Sequence, residues 1–237
     1  MAKTPRVGET KTRLTPPLAP AEAAALSACF IRDAAENIAE ASRQAPIDGY
    51  IAYWPPGSAA ELPPLPEGTG LIPSRRAGLG ASLLDAVADL LAAGYGGVCL
   101  INSDSPTLPC GILADAVRAL SAPGDRVVLG PAEDGGYFLV GLKALHPRLF
   151  ENIAWSTPLV FAQTADRARE IGLPTVVLTH WYDVDDLASL RRLNVELREA
   201  GDGRARHTAA FLQRRFDASG EWQPEVEPTG TAVGHTP

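Results

Sequence analysis

The chain has no run approaching the roughly 18 uninterrupted apolar residues that a membrane-crossing helix needs, so membrane insertion is not expected. Its first thirteen residues are charged and lack the apolar centre of an export signal. Cysteine is scarce: Cys29, Cys99 and Cys110 form an odd, widely spaced set without a CxxC pair, which argues against a disulfide framework and a zinc cluster alike. A cytoplasmic protein fits these absences best. Surplus positive charge is also missing. With 21 lysines and arginines against 28 acidic residues, the formal net charge is −7, so no nucleic-acid partner is expected. The four histidines, His146, His180, His207 and His235, show neither metal-ligand spacing nor a nucleophile partner and receive no role. No internal repeat is present.

What remains is enough for one large α/β domain. The chain has 237 residues and is 46% hydrophobic, sufficient for a sizeable core but not for two complete domains. Residues 1–214 are expected to form that domain. Residues 215–237, rich in Pro, Gly, Thr and Glu, are expected to be a disordered tail. Apolar residues at helical spacing predict helices over 22–42, 79–93, 109–120 and from the Asp183–Asp186 turn through Glu199, with a short one over 204–216. Ser156, Thr157 and Pro158 read as the start of another, running to about Ile171, with a hydroxyl cap and proline in its first turn. Strands are predicted over 49–54, 98–101, 126–129, 137–140 and 175–178, with a Pro/Gly-rich loop over 55–74. Alternating strands and helices predict a mostly parallel sheet covered on both faces. Ligands in such sheets bind beyond the carboxyl ends of the strands.

Several residues could carry chemistry. Lys3, Arg6, Lys11 and Arg13 crowd the first thirteen positions, a density suited to a phosphate-bearing small ligand. The segment Gly8–Leu14 is no P-loop, because Thr10 replaces the glycine required before the lysine. It still offers a cationic clamp, although basic residues near a terminus are commonly just solvated. Asp104, in S-D-S-P after the apolar run Val98–Ile101, suits a hard divalent cation or, alternatively, a turn in which its side chain caps backbone amides. Asp185, in Y-D-V-D-D, has the same two options, and Asp183 or Asp186 could cap the next helix. In Glu133-Asp134-Gly135-Gly136-Tyr137 the paired glycines fit either a close approach to a ligand or a plain hairpin turn. Trp155, Ser156 and Thr157 could contact a sugar or acceptor, or simply open a helix.

Together, the segments K-T-P-R-V-G-E-T-K-T-R-L (3–14), I-N-S-D-S-P-T-L-P (101–109), G-P-A-E-D-G-G-Y-F-L-V-G-L (130–142), W-S-T (155–157) and Y-D-V-D-D-L-A-S-L (182–190) resemble a bacterial glycosyltransferase-A-like family. It is the arsenosugar-biosynthesis-associated glycosyltransferase type, related to phospholactate guanylyltransferases. The resemblance implies a three-layer nucleotide-diphospho-sugar transferase fold with a mostly parallel central sheet. It implies Asp104 and Asp185 as ligands of Mg2+ or Mn2+, and Lys3, Arg6, Gly8, Lys11 and Arg13 as nucleotide-binding residues. Lys11, Arg13 and Asp134 would be catalytic, while Gly135, Gly136, Tyr137, Trp155, Ser156 and Thr157 would border the substrate pocket. The implied reaction moves a sugar from a nucleotide-diphospho-sugar to a small acceptor. Nucleotidyl transfer from a nucleoside triphosphate to a phosphorylated small molecule is the alternative, and nucleotide binding without turnover a third. Three positions depart from the family pattern: the apolar first strand is lacking ahead of Lys3, Asn102 replaces a glycine, and Arg75-Arg76 replaces Gln-Gly.

Overall fold

The computed structural model describes residues 1–200, 203–217 and 221–223. A two-residue strand, β1 (Ala2–Lys3), leads through a single 3-10 turn at Thr12–Leu14 into α1 (Pro20–Ala41). Pro20 takes the first helical position, where a missing N–H costs nothing, and the Glu22 carboxylate accepts the Ala19 N–H at 2.8 Å. There follow β2 (Tyr50–Trp54), β3 (Gly70–Pro73), α2 (Leu79–Ala92), β4 (Val98–Ile101), α3 (Cys110–Ser121), β5 (Val127–Pro131) and β6 (Tyr137–Leu142). The remaining elements are α4 (Val160–Glu170), β7 (Thr175–Val177), α5 (Leu187–Ala200) and α6 (Arg206–Gln213).

The strands lie in the order β3-β2-β1 and β4-β6-β5-β7, and the two groups meet where the Met1 amino group donates to the Ile101 carbonyl at 2.7 Å. The pairings β1·β2, β2·β3 and β5·β7 are parallel, whereas β6 runs antiparallel to both β4 and β5. The local cause is the Asp134-Gly135-Gly136 segment. It reverses the chain within one turn, with Gly135 N–H donating to Ala132 at 3.2 Å and Ala132 N–H to Gly136 at 3.0 Å, and so returns β6 alongside β5.

The period of two along β5 explains its uninterrupted apolar sequence. Val127 and Leu129 join the layer under α2 and α4 with Leu83, Val87 and Ala168, while Val128 turns to the opposite layer with Ile112, Leu113 and Ala116 of α3. A further cluster seals α1 to α5 and α6 through Leu26, Phe30, Leu190, Leu193 and Phe211. The α/β architecture is as expected from sequence. One strand was hidden: β3 lies within the Pro/Gly-rich stretch, and Gly70 is required there because the Tyr50 ring would sit 2.2 Å from any Cβ. The helix expected from Ser156 begins instead at Val160, after Ser156 takes a left-handed φ of 63°. Within the segment expected as a disordered tail, Phe216 and Trp222 form an antiparallel bridge and stack edge-on at 5.3 Å. Residues 218–220 and 224–237 of that segment lie outside the described residues.

Candidate active site

The chemistry-bearing segments gather at one edge of the sheet because each follows the carboxyl end of a strand. Asp104 lies just past β4, Lys11 to Arg13 follow β1, the Asp183–Asp186 turn follows β7, and Asp134 sits in the turn after β5. Main-chain bonds fix their relative positions: Val184 N–H donates to the Asp104 carbonyl at 2.8 Å, and Glu133 N–H to the Trp181 carbonyl at 3.1 Å.

At the centre stands Lys11. Its backbone is left-handed, with φ 49° and ψ 37°, a conformation that costs a non-glycine residue on the order of 1 kcal/mol. The turn directs its side chain inward, where only 7% remains exposed. The ammonium donates to the Val184 carbonyl at 2.7 Å and to Asp185 Oδ1 at 2.9 Å, and lies 2.6 Å from Asp104 Oδ1. Burial alone would lower the lysine pKa. Asp104 and Asp185 outweigh it and hold the pKa above the ordinary value, so the group stays charged. The two carboxylates remain 38% and 43% exposed, so each keeps oxygen lone pairs open toward solvent. Arg13, 73% exposed, approaches Asp185 Oδ2 at 3.9 Å. The donor set is therefore two carboxylates and a carbonyl converging on one cation, with a second, exposed cation at the rim.

Asp183 completes the acidic wall and was not singled out as a site residue from sequence. Its Oδ1 accepts from Ser105 Oγ at 2.6 Å and from Asn102 Nδ2 at 2.8 Å. Burial pushes its pKa up to about 6, against the lowering effect of those two bonds. Asn102, which departs from the family's glycine, thus tethers Asp183. The only signal available was the Y-D-V-D-D spacing itself. The helix-capping option falls to the neighbouring Asp186, whose Oδ1 accepts Ser189 N–H at 2.8 Å ahead of α5.

The other expected residues are distributed unevenly. Asp134 stays in the turn, its Oδ1 accepting Gly136 N–H at 2.8 Å. Gly135, at φ 88°, permits a close approach to Pro158, whose carbonyl would lie 2.3 Å from a Cβ at that position. The segment Trp155–Thr157 is consequently pressed against the turn, and Phe161 N–H donates to the Gly135 carbonyl at 3.0 Å. Trp155 packs edge-on against Tyr137 at 6.4 Å and covers Gly80, where a Cβ would meet the indole at 2.7 Å. Tyr137 belongs to the core layer under α2 and α4 rather than to an open pocket. Thr157 Oγ1 donates to Ala154 and accepts Leu159 N–H, shaping the approach to α4. Lys3 and Arg6 are engaged away from the Lys11 centre: Lys3 Nζ donates to the Glu9 carbonyl at 2.8 Å, and Arg6 pairs with Glu61 at 2.5 Å. Gly8 supplies a φ of 75° to the loop carrying them. Arg75 and Arg76 pair with Asp89 and Asp85 of α2.

A second grouping, Asp33, Glu36 and His207, has atoms close enough for a metal ion. Asp33, however, already accepts His207 N–H at 3.0 Å, Thr208 N–H at 2.8 Å and Thr208 Oγ1 at 2.5 Å, which makes it the cap of α6. Glu36 is taken by Arg206 and His207.

Comparison with known proteins agrees with this architecture. A family model described as "Uncharacterized protein conserved in bacteria (DUF2064)" matches residues 37–157, just over half of the chain. A crystal structure of a "putative nucleotide-diphospho-sugar transferase" from Desulfovibrio desulfuricans G20 superimposes with a TM-score of 0.79 at 28% identity, covering 90% of this chain and 92% of that one. No curated protein matches the sequence. Among the described residues no helix is long and apolar enough to cross a membrane.

Proposed function

The chain belongs to this bacterial DUF2064 family, and on that premise we propose that it is a metal-dependent transferase moving a sugar from a nucleotide-diphospho-sugar to a small acceptor. The observation that carries the proposal is the position of the Lys11 ammonium between Asp104 and Asp185. Two carboxylate oxygens and the Val184 carbonyl around one positive charge form the hard-oxygen donor set that Mg2+ and Mn2+ prefer, and the ammonium marks where a cation is stabilised. Asp104 and Asp185 would hold that ion, which when bound supplies charge neutralisation at the diphosphate.

The chain's own residues then have separable tasks. Lys11, released from the carboxylates, and the exposed Arg13 donate to diphosphate oxygens and stabilise charge on the leaving group. Asp183, half-buried and tied to Ser105 and Asn102, stiffens the turn that presents Asp185. In the transfer itself an acceptor hydroxyl oxygen forms a bond to the anomeric carbon. The bond from that carbon to the phosphate oxygen breaks, and its electron pair leaves on the nucleoside diphosphate. The hydroxyl proton passes to a carboxylate at the site rim, and Asp134 is the candidate by position. The Trp155–Thr157 segment, pressed on the Asp134 turn, would border the acceptor.

A thermal-shift screen of nucleoside diphosphates, triphosphates and sugar nucleotides, each with and without Mg2+ or Mn2+, followed by analysis of released product, tests the proposal. Nucleoside diphosphate released from a sugar nucleotide supports it. Pyrophosphate released from a triphosphate replaces it with nucleotidyl transfer. Metal-dependent binding without either product leaves a nucleotide-binding protein.

A further inference from the structure

The Lys11 ammonium has three N–H bonds, and three oxygens stand within reach of it: Asp104 Oδ1 at 2.6 Å, the Val184 carbonyl at 2.7 Å and Asp185 Oδ1 at 2.9 Å. The nitrogen also lies over the ring of the buried Phe30, 5.2 Å from its centroid. The backbone of the turn is pinned separately. Leu14 N–H donates to the Lys11 carbonyl at 2.9 Å, and Thr10 Oγ1 to the Arg6 carbonyl at 3.2 Å. Release of the ammonium is therefore a side-chain movement about a fixed main chain.

A divalent ion arriving alone meets a cation already placed between Asp104 and Asp185. To take those carboxylates it must displace the ammonium, which would lose its oxygen acceptors together. A diphosphate arriving alone meets the opposite obstacle. The ammonium is committed, Arg13 stands as the exposed cation 3.9 Å from Asp185, and the partly exposed carboxylates of Asp104 and Asp185 face the incoming anion. Arriving together, the two ligands remove each other's obstacle. The ion takes the carboxylates, and phosphate oxygens take the ammonium. A lysine suits this exchange because its compact charge rides on a flexible four-carbon stem that can pass from one set of oxygens to another.

We infer that Lys11 is a gate that makes binding of the divalent ion and of the diphosphate mutually dependent, each held weakly until the other arrives. The ligand that the site admits is then the ion and diphosphate as a pair, and free ions or free phosphates are turned away. Linkage makes the dependence reciprocal: the factor by which the diphosphate raises ion affinity is the factor by which the ion raises diphosphate affinity. The inference rests on the reading of Asp104 and Asp185 as ion ligands, and the test below separates the two.

Metal-free protein is titrated with Mn2+ alone, and the free ion is counted from its paramagnetic resonance signal. Lys11→Met is expected to bind Mn2+ about tenfold more tightly than the parent, and Lys11→Arg, which keeps the charge, to gain nothing. Combining Lys11→Met with Asp104→Asn is expected to remove the gain. In the reciprocal arm, inorganic pyrophosphate is titrated by calorimetry with all metal chelated. Asp104→Asn combined with Asp185→Asn, which frees the ammonium, is expected to bind pyrophosphate about tenfold more tightly than the parent. Should Lys11→Met not fold, Lys11→Gln, which keeps a donor for the Val184 carbonyl, takes its place under the same criteria. A parent that binds Mn2+ as tightly as Lys11→Met, with binding lost in Asp104→Asn, overturns the gate and leaves the ion site standing. Equal pyrophosphate binding by the parent and the doubly substituted chain also overturns the gate. No Mn2+ bound by any variant, or a gain that survives Asp104→Asn, overturns the gate and the ion site together.

Discussion

Two acidic clusters in this molecule look alike as lists of residues and differ in what satisfies them. Asp33 is surrounded by fixed donors, two backbone N–H groups and a threonine hydroxyl at the start of α6. Asp104 and Asp185 are instead held by one long, flexible side chain, the ammonium of Lys11. A carboxylate matched by main chain has no oxygen to offer without unmaking the fold. One matched by a lysine can exchange its partner for another cation. The same residue type therefore serves architecture at the start of α6 and is available for chemistry at the strand ends.

The contrast is breakable by experiment. Asp104→Ala should show the largest effect, a loss of turnover of about 100-fold or more, with a melting temperature within a few degrees of the parent. Normal turnover in purified Asp104→Ala would remove the cation site from the proposal. Asp33→Ala should do the reverse. Two buried donors of Thr208 and the half-buried His207 N–H lose their acceptor, so urea unfolding should report a loss of about 2–3 kcal/mol while turnover per folded molecule is kept. Asp185→Asn should raise the Mn2+ concentration needed for half-maximal effect by about tenfold without unfolding the chain. An unchanged metal titration would move the second ligand elsewhere, with Asp183 the nearest candidate. Glu36→Gln should be the mildest, changing stability by under about 1 kcal/mol, because its ion pair with Arg206 and its contact with the His207 ring are partly solvated.

The sequence made some of this legible and concealed the rest for physical reasons. The apolar run Val98–Ile101 and the polar S-D-S-P that stops it placed Asp104 at a strand end, since a strand buried on both faces cannot tolerate that turn. The alternation of strands and helices gave the architecture. The direction of β6 was not read, although the Asp134-Gly135-Gly136 turn that reverses the chain was in view, because a glycine pair allows a hairpin and a ligand approach equally. Asp183 could not be separated from its neighbours, since its partners Asn102 and Ser105 are distant in sequence and meet it only in the fold. The basic residues of the first segment were visible as a density, but sequence does not say which way a side chain turns. Lys11 goes inward through a left-handed turn, while Lys3 and Arg6 close onto Glu9 and Glu61. Gly135 was noted for close approach, and its neighbour proves to be the Pro158 backbone.

The bond from Val184 to the Asp104 carbonyl joins segments that leave the ribosome far apart in time. The lysine leaves the ribosome at the outset, the first carboxylate midway, and the strand-end turn bearing the second only near the close of the domain. Any fragment ending before Tyr182 would face Lys11 with Asp104 alone and could not assemble a two-carboxylate grip. A prematurely cut chain would thus lack the second carboxylate beside Lys11, which comes into place only when the last third of the chain folds onto the rest.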